Sequence, residues 1–515
     1  MNGALALMRT LVDSGVEVCF TNPGTSEIHL VAALDSEPRM RAILGLFEGV
    51  VTGAADGYAR MAGKPACTLL HLGPGLGNGL ANLHNARRAR VPVVNLVGDH
   101  ATHHLPLDAP LTSDIESIAR GVSGWIRTAT GAASVAADGA EAVAASHGPP
   151  GRVATLILPA DVTWTEGGTP AAPVPPARPA PPPAERIEEV ACVLRQAGAS
   201  SVLLLNGAAT SERGTALAGK VAAATGARLL TDTFVTRAAR GAGRINPERL
   251  PYLAEQAVEV LAGTRHLVTV GTKPPVAFFA YPGKPGALTP EGSAVHTLAR
   301  PEEDALAALE ALVDALGAGA ALPRTEPEER PAAPAGPLTA LTVAEAIAHT
   351  LPEDAIVVNE SATQGRLVPG LLARSAPHDW MDLTGGAIGF GMPAATGAAV
   401  ACPDRKVLCL EADGSGMYTV QALWTQAREN LDVTTLVFAN RSYNILKGEL
   451  ANVGAGNPGP RAHDMLTLDR PDLDWVSIAA GMGVEAEKAH DADELCRAFE
   501  RGLAVKGPYL VEVVI

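Results

Sequence analysis

"KVLCLEADGSGMYTVQALWTQARENLDVTTLVFAN", residues 406–440, decides the fold. Its ends, KVLCLEAD (406–413) and DVTTLVFAN (432–440), are short aliphatic runs that read as strands covered on both faces. Between them YTVQALWTQAREN (418–430) reads as a helix. A strand, a helix and a second strand in that order form a parallel crossover, which is nearly always right-handed. The loops that follow the strands therefore gather at the carboxyl edge of the sheet, where α/β proteins bind ligands.

The same rhythm recurs elsewhere. ACTLLHL (66–72) and VPVVNLVGD (91–99) read as strands around the helix GNGLANLHNARRAR (77–90), and SVLLLNGAA, GTALAGKVAAATG and RHLVTVGTKPP continue the alternation mid-chain. Two proline-rich runs, 167–186 and 322–337, divide the 515 residues. Proline fixes φ and removes a donor, so such runs serve as stiff connectors. The expectation is an α/β protein of three doubly wound parallel-sheet domains, at 1–166, 187–321 and 338–515, each with its own core. The first and third read as distant copies of one unit, since Gly73 to Gly98 spans 25 residues and Asp413 to Asn440 spans 27.

Composition excludes several classes of function. A net charge of −15 without a basic cluster argues against nucleic acid and anionic membranes. No apolar run is long enough for a membrane span, and the N-terminus lacks the basic and apolar regions of a signal peptide, so a cytoplasmic protein is expected. The six cysteines are scattered, as buried thiols of a reducing compartment would be. GDHATHH (98–104), like His84, reads as exposed polar surface rather than a metal site.

Chemistry concentrates at strand ends. Asp413 closes one strand before Gly-Ser-Gly, and Asn440 closes the next. Alone, Asp413 reads as a helix N-cap. Paired with Asn440, it makes an all-oxygen donor set suited to Mg²⁺, with the glycines admitting a diphosphate. One further carboxylate, Glu48 in GLFEGVVTGAADGYAR (45–60), stands before a run of Gly and Ala. It reads either as a first-turn acid on a helix or as a buried functional acid, and the small residues behind it point to close helix packing, expected across a subunit interface.

These residues resemble the thiamine diphosphate family of pyruvate oxidase, acetolactate synthase and benzoylformate decarboxylase. NPGTSE (22–27), GPGLGN (73–78), GGAIGFGMPAATGA (385–398) and ADGSGMY…FANRSYN carry the resemblance, in that order along nearly the whole chain. It implies pyrimidine-binding, central and diphosphate-binding domains. It also implies Mg²⁺ on Asp413, Asn440 and the Ser442 carbonyl, and diphosphate donors from Gly414, Ser415 and Thr363. Ile388 would prop the bent cofactor, the Gly386 carbonyl would accept from its 4′-amine, and Glu48 would hold a proton at its N1′.

Thr25 and His71 match active-site residues of benzoylformate decarboxylase, and Phe278 falls where that enzyme carries a second histidine. The middle segment shows no stretch like the FAD-binding part of acetolactate synthases, which leaves FAD doubtful. The implied activity is Mg²⁺-dependent decarboxylation of a 2-oxo acid with carboligation, acetolactate synthase-like, by a homodimer at least and a homotetramer by the family's habit. The alternatives are an aldehyde-releasing decarboxylase like benzoylformate decarboxylase and a non-catalytic partner subunit. A nicotinamide dinucleotide site is disfavoured because neither glycine turn completes G-x-G-x-x-G.

Overall fold

The computed structural model describes residues 1–327 and 329–515; Glu328, within the second proline-rich run, lies outside the described residues. The first sheet contains β1 (Val18–Asn22), β2 (Arg41–Leu44), β3 (Ala66–Leu70), β4 (Val93–Asp99), β5 (Trp125–Thr128) and β6 (Val153–Pro159). The middle stretch supplies β7 (Ser201–Leu205), β8 (Arg228–Thr231), β9 (Ala238–Arg240), β10 (Glu248–Arg249), β11 (His266–Val270) and β12 (Ala294–Ala299). The last contributes β13 (Ala355–Glu360), β14 (His378–Asp382), β15 (Val407–Ala412), β16 (Val433–Ala439), β17 (Glu485–Ala489) and β18 (Tyr509–Val514).

The first sheet runs β2-β1-β3-β4-β6-β5, with every pair parallel. Read from β14, the third sheet runs β14-β13-β15-β16-β18-β17, the same permutation strand for strand. That identity of order is what an internal duplication leaves behind. The middle sheet, β10-β8-β7-β11-β12, is also parallel but ordered differently. β9 departs from its neighbours in sequence and pairs antiparallel with β14, at the edge of the third sheet.

The first and third sheets do not bury separate cores. Phe20, Ile43, Leu70 and Val97 of the first share one apolar cluster with Ile356, Met381, Phe390 and Val437 of the third. Only the outer faces are separate, around Leu7, Leu96 and Leu156 in the first and around Ile347, Trp380 and Phe499 in the third. The seam is a pair of helices, Glu48–Ala62 and Gly391–Ala401, which occupy equivalent places in the two copies, before β3 and before β15.

Small residues set the approach of this pair. A Cβ on Gly57 would collide with the Ala394 carbonyl oxygen, one on Gly397 with the Ala54 carbonyl, and one on Gly53 would lie 2.6 Å from the Pro393 Cβ. The packing expected across a subunit interface is therefore made within the chain. A buried ion pair locks the seam: Arg60 Nε lies 2.8 Å from Asp56 Oδ1 with neither side chain exposed, and its guanidinium also donates to the Asp382 carbonyl at 2.7 Å. Such a pair holds only because further hydrogen bonds satisfy the desolvated charges.

Local boundaries moved too. The helix expected from residue 77 begins at Leu72 and runs to Ala89, so GPGLGN is helical and the turn is compressed into His71 and Leu72, the latter at φ 45°. The helix expected over 418–430 shrinks to Ala422–Arg428, with a single helical turn at Asp413–Gly416. Cys192 is exposed and Cys402 half-buried, while the other four cysteines are buried as expected. Among the described residues no helix is long and apolar enough to cross a membrane.

Replacing Gly57 by Ala forces a methyl into the Ala394 backbone and should destabilise the protein by at least about 1–3 kcal/mol. Gly77→Ala, an exposed helical position with nothing within 4 Å of the added methyl, should instead gain up to about 1 kcal/mol. Denaturant midpoints of the two variants should move in opposite directions.

Candidate active site

The first carboxyl edge is built by β1 and β3. Leaving β1, the chain makes one 3₁₀ turn, Thr25–Glu27, in which the Gly24 N–H donates to Glu27 Oε2 at 2.9 Å. Glu27 is fully buried, and burial raises its carboxyl above the usual range against the pull of His71. His71, the first residue after β3, places Nδ1 2.8 Å from Glu27 Oε2. Space for this contact comes from glycines: a Cβ at Gly24 would strike the imidazole, and one at Gly98 would strike the Glu27 carboxyl. The result is an imidazole held by a dry carboxylate at a strand end, with Thr25 exposed on the same turn. Glu27 lies within NPGTSE, where the sequence assigns it no role; the signal for it is an acid three residues after Gly24, the glycine that caps the turn following β1.

Glu48 stands apart from a routine helix-end acid. It is the first residue of its helix yet only 7 % exposed. Its Oε2 accepts from the Asn78 amide at 3.0 Å, and Gly75 faces its Oε1. An acid serving the macrodipole alone would stand in solvent; this one is enclosed beside a neutral donor.

The second edge is built by β15 and β16. Asp413, 2 % exposed, accepts from the backbone N–H groups of Arg441 at 2.6 Å and Gly414 at 2.9 Å. Burial outweighs these bonds and pushes its carboxyl up to about 6. Asn440 follows β16, its Oδ1 accepting from the Ser442 N–H at 2.9 Å, while the Ser442 hydroxyl is spent on the Leu466 carbonyl. A buried carboxylate with backbone donors and a neighbouring amide oxygen is a donor set that fits a hard divalent cation. Gly414 also leaves room that a Cβ would fill against the Tyr443 ring. Thr363 is half-buried at the start of the short turn after β13.

Of the two kinds of donor Ser415 could offer, one is engaged within the chain. Its hydroxyl donates to Glu411, which leaves its backbone N–H as the donor for a ligand. Glu411 and Glu360 sit directly opposite on β15 and β13 and are both buried. Glu360 accepts three successive N–H groups, Gly389 at 2.8 Å, Phe390 at 2.7 Å and Gly391 at 2.5 Å, at the head of the 391–401 helix. Burial still raises it to about 7, and burial with the neighbouring Glu360 charge pushes Glu411 well above the carboxylate range. Two facing acids in a dry sheet cannot both ionise, and neither pattern was visible in the sequence. The loop that Glu360 holds carries Gly386, exposed at φ 75°, and Ile388, half-buried.

Phe278 belongs to neither edge. Its ring packs at 5.2 Å from Phe234 and 4.9 Å from Tyr252. It lines a cleft of about 1360 Å³ between the carboxyl edge of the middle sheet and the end of the first-domain helix, at Arg87 and the C-cap Arg90. Three residues on, Tyr281 hydrogen-bonds Glu449 in the helix Asn444–Asn452, just past Ser442. His100 and His104 face each other at 5.4 Å, and His84 is engaged with the Gly385 carbonyl rather than free. Among the described residues no group of three or more His, Cys, Asp or Glu is arranged to hold a metal on its own.

Comparison with known proteins agrees with this geometry. Residues 1–118 match the model of the thiamine pyrophosphate enzyme N-terminal TPP binding domain, and residues 367–513 match the C-terminal TPP binding domain. The chain is 55 % identical to the "Putative acetolactate synthase large subunit IlvX" of Mycobacterium tuberculosis, across all of this chain and 99 % of that one. It is 31 % identical to benzoylformate decarboxylase of Pseudomonas aeruginosa, covering 97 % of this chain and 96 % of that one. Among solved structures, a thiamine diphosphate-dependent 4-hydroxybenzoylformate decarboxylase from Rhodococcus jostii superposes with a TM-score of 0.87 at 23 % identity, over 100 % of this chain and 99 % of that one. With both cofactor-binding regions matched and relatives aligned end to end, the chain belongs to the thiamine pyrophosphate (thiamine diphosphate) enzyme family.

Proposed function

We propose that the protein is a thiamine diphosphate- and Mg²⁺-dependent enzyme that decarboxylates a 2-oxo acid. The observation that supports this most directly is Asp413, a carboxylate buried at a strand end with backbone donors and Asn440 beside it. In this reading Asp413, Asn440 and the Ser442 carbonyl hold Mg²⁺. The N–H groups of Gly414 and Ser415, with Thr363, receive the diphosphate. Gly386 and Ile388 receive the pyrimidine side, and Glu48 holds the proton at N1′ from its enclosed position. When bound, the cofactor supplies an electron sink for the pair left behind as CO₂ departs.

The fate of the remaining fragment turns on proton delivery. In this reading His71, held by buried Glu27, returns a proton, which favours aldehyde release of the kind named for the benzoylformate decarboxylase relatives. That reverses the order given by sequence alone. Carboligation is the second reading, favoured by an aromatic side chain at Phe278 in place of an imidazole and by the acetolactate synthase name of the 55 % relative. The active unit is a homodimer at least, and a homotetramer by family precedent. Leu46, Met417 and Tyr418, at 45 %, 38 % and 53 % exposure, leave large apolar groups in water within a few residues of Glu48 and Ser415, as an uncovered subunit interface would.

Titrating the apo-protein with thiamine diphosphate and Mg²⁺, then assaying CO₂ and products from a panel of 2-oxo acids, tests the reading. Turnover with aldehyde as the main product supports it; acyloin as the main product selects carboligation, and absence of cofactor binding refutes both. Glu48→Gln should bind cofactor yet lose about 10²–10⁴-fold in turnover, the usual weight of a proton-handling group. Full activity in that variant removes Glu48 from the mechanism.

Asp413 also predicts a pH effect on the apo-protein. Its folded-state value near 6 lies above the unfolded one, so the unfolded chain releases its proton first as pH rises. Stability should fall by about 3 kcal/mol between pH 4 and 6 from this group, a loss absent in Asp413→Asn. Mg²⁺ with cofactor should restore stability to the wild type but not to the variant, as followed by thermal melts.

A further inference from the structure

Glu360 and Glu411, opposite each other on β13 and β15, are 4 % and 0 % exposed, and their carboxyl groups hydrogen-bond each other. Such a bond needs a proton on one of the two, since ionised carboxylates only accept. Glu360 already takes the N–H groups of Gly389, Phe390 and Gly391, so it is the acceptor and Glu411 the donor. The Met392 N–H in turn reaches Glu411. Four successive N–H groups at the head of the 391–401 helix thus converge on one acid pair that carries a single negative charge.

The pair joins two elements of the candidate site. On one side Glu411 stands two residues before Asp413, accepts from the Ala412 N–H at 3.1 Å and holds the Ser415 hydroxyl. On the other, Glu360 fixes 389–391, directly after Gly386 and Ile388. Glycine makes the room: a Cβ on Gly391 would lie 2.4 Å from Glu411 Oε2 and 3.3 Å from Glu360 Oε2, and one on Gly416 would lie 3.1 Å from Glu411 Cγ. The same two elements meet again at Thr419, whose hydroxyl donates to the Gly389 carbonyl at 3.0 Å. Packing alone does not call for this arrangement, because apolar side chains at two facing buried strand positions would cost less than two acids. A satisfied polar pair instead specifies distance and direction.

We propose that Glu411 is a positioning residue: by donating to Glu360 it ties the turn of Asp413, Gly414 and Ser415 to the loop of Gly386 and Ile388, and so sets the spacing at which diphosphate and ring contacts are offered to one cofactor. This rests on the cofactor roles given above to those five residues. Both elements belong to the third domain, so the tie is complete within one protomer, whatever the first domain of a partner subunit adds.

The test compares two probes on the full-length apo-protein: thiamine diphosphate with Mg²⁺, and inorganic pyrophosphate with Mg²⁺. Glu411→Met keeps the length of the side chain but has no donor. It should raise the Kd for thiamine diphosphate about tenfold, the usual weight of a group that orients a binding residue, and leave that for pyrophosphate within about twofold. Amide hydrogen exchange at 386–391, read without any cofactor, should quicken about tenfold. Glu411→Gln, whose amide still donates to Glu360, should return all three readings to near the wild type. Glu360→Gln turns an amide toward three N–H groups and should behave like Glu411→Met. The two glutamine variants, equal in size and opposite in expectation, keep the test decisive if the methionine variant does not fold. Loss in Glu411→Gln equal to that in Glu360→Gln overturns the proposal. Unchanged thiamine diphosphate affinity or exchange in Glu411→Met overturns it too, and equal loss of both probes overturns it in favour of general damage; in each of these cases the functional reading stands. A wild-type protein that binds pyrophosphate but not thiamine diphosphate refutes the ring-site reading, and the proposal with it.

Discussion

The rest of the structure depends on the contact between the helices Glu48–Ala62 and Gly391–Ala401. Where Gly57 meets the Ala394 carbonyl and Gly397 meets that of Ala54, two copies of one α/β unit come close enough to share a core. Side chains of ordinary size would hold helices about 8–10 Å apart and leave the sheets to bury separate faces. Close approach also brings both helix starts to the same end, Glu48 on one and the Glu360-bound loop on the other.

Acids are distributed through the site according to how each is satisfied. Asp56 is paired with Arg60, Glu27 is hydrogen-bonded to His71, and Glu360 accepts from three backbone N–H groups. Asp413 has only two such donors, and Glu48 a single amide. The progression separates acids that hold the frame together from those left with capacity for a cation or a proton. A burial pattern alone would not make that distinction, since all five are buried. What separates them is how much of each charge the protein has already answered.

Much of this was legible in the chain. The β-α-β rhythm, the duplication, and the strand-end positions of Asp413, Asn440 and His71 follow from periodicity and spacing, because strand and helix repeats are local properties. Helix boundaries were less so: GPGLGN looks like a turn because glycine disfavours helix, yet tertiary contacts around Gly73, Gly75 and Gly79 override that preference. β9 was invisible, a three-residue strand whose only reason to exist is the open edge of β14. The facing pair of Glu360 and Glu411 lies 51 residues apart in the chain, and only strand register makes them neighbours.

By itself the sequence determined the fold class, the order of the units, the family, and which strand ends carry oxygen and imidazole groups. These depend on residue type and short-range spacing, which the chain states directly. Tertiary structure alone decided that the glycines behind Glu48 pack within the chain, that Glu27 rather than solvent holds His71, and that Glu411 faces Glu360. Each is a contact between segments far apart in sequence, fixed by how closely two backbones can approach, and no local pattern records that distance.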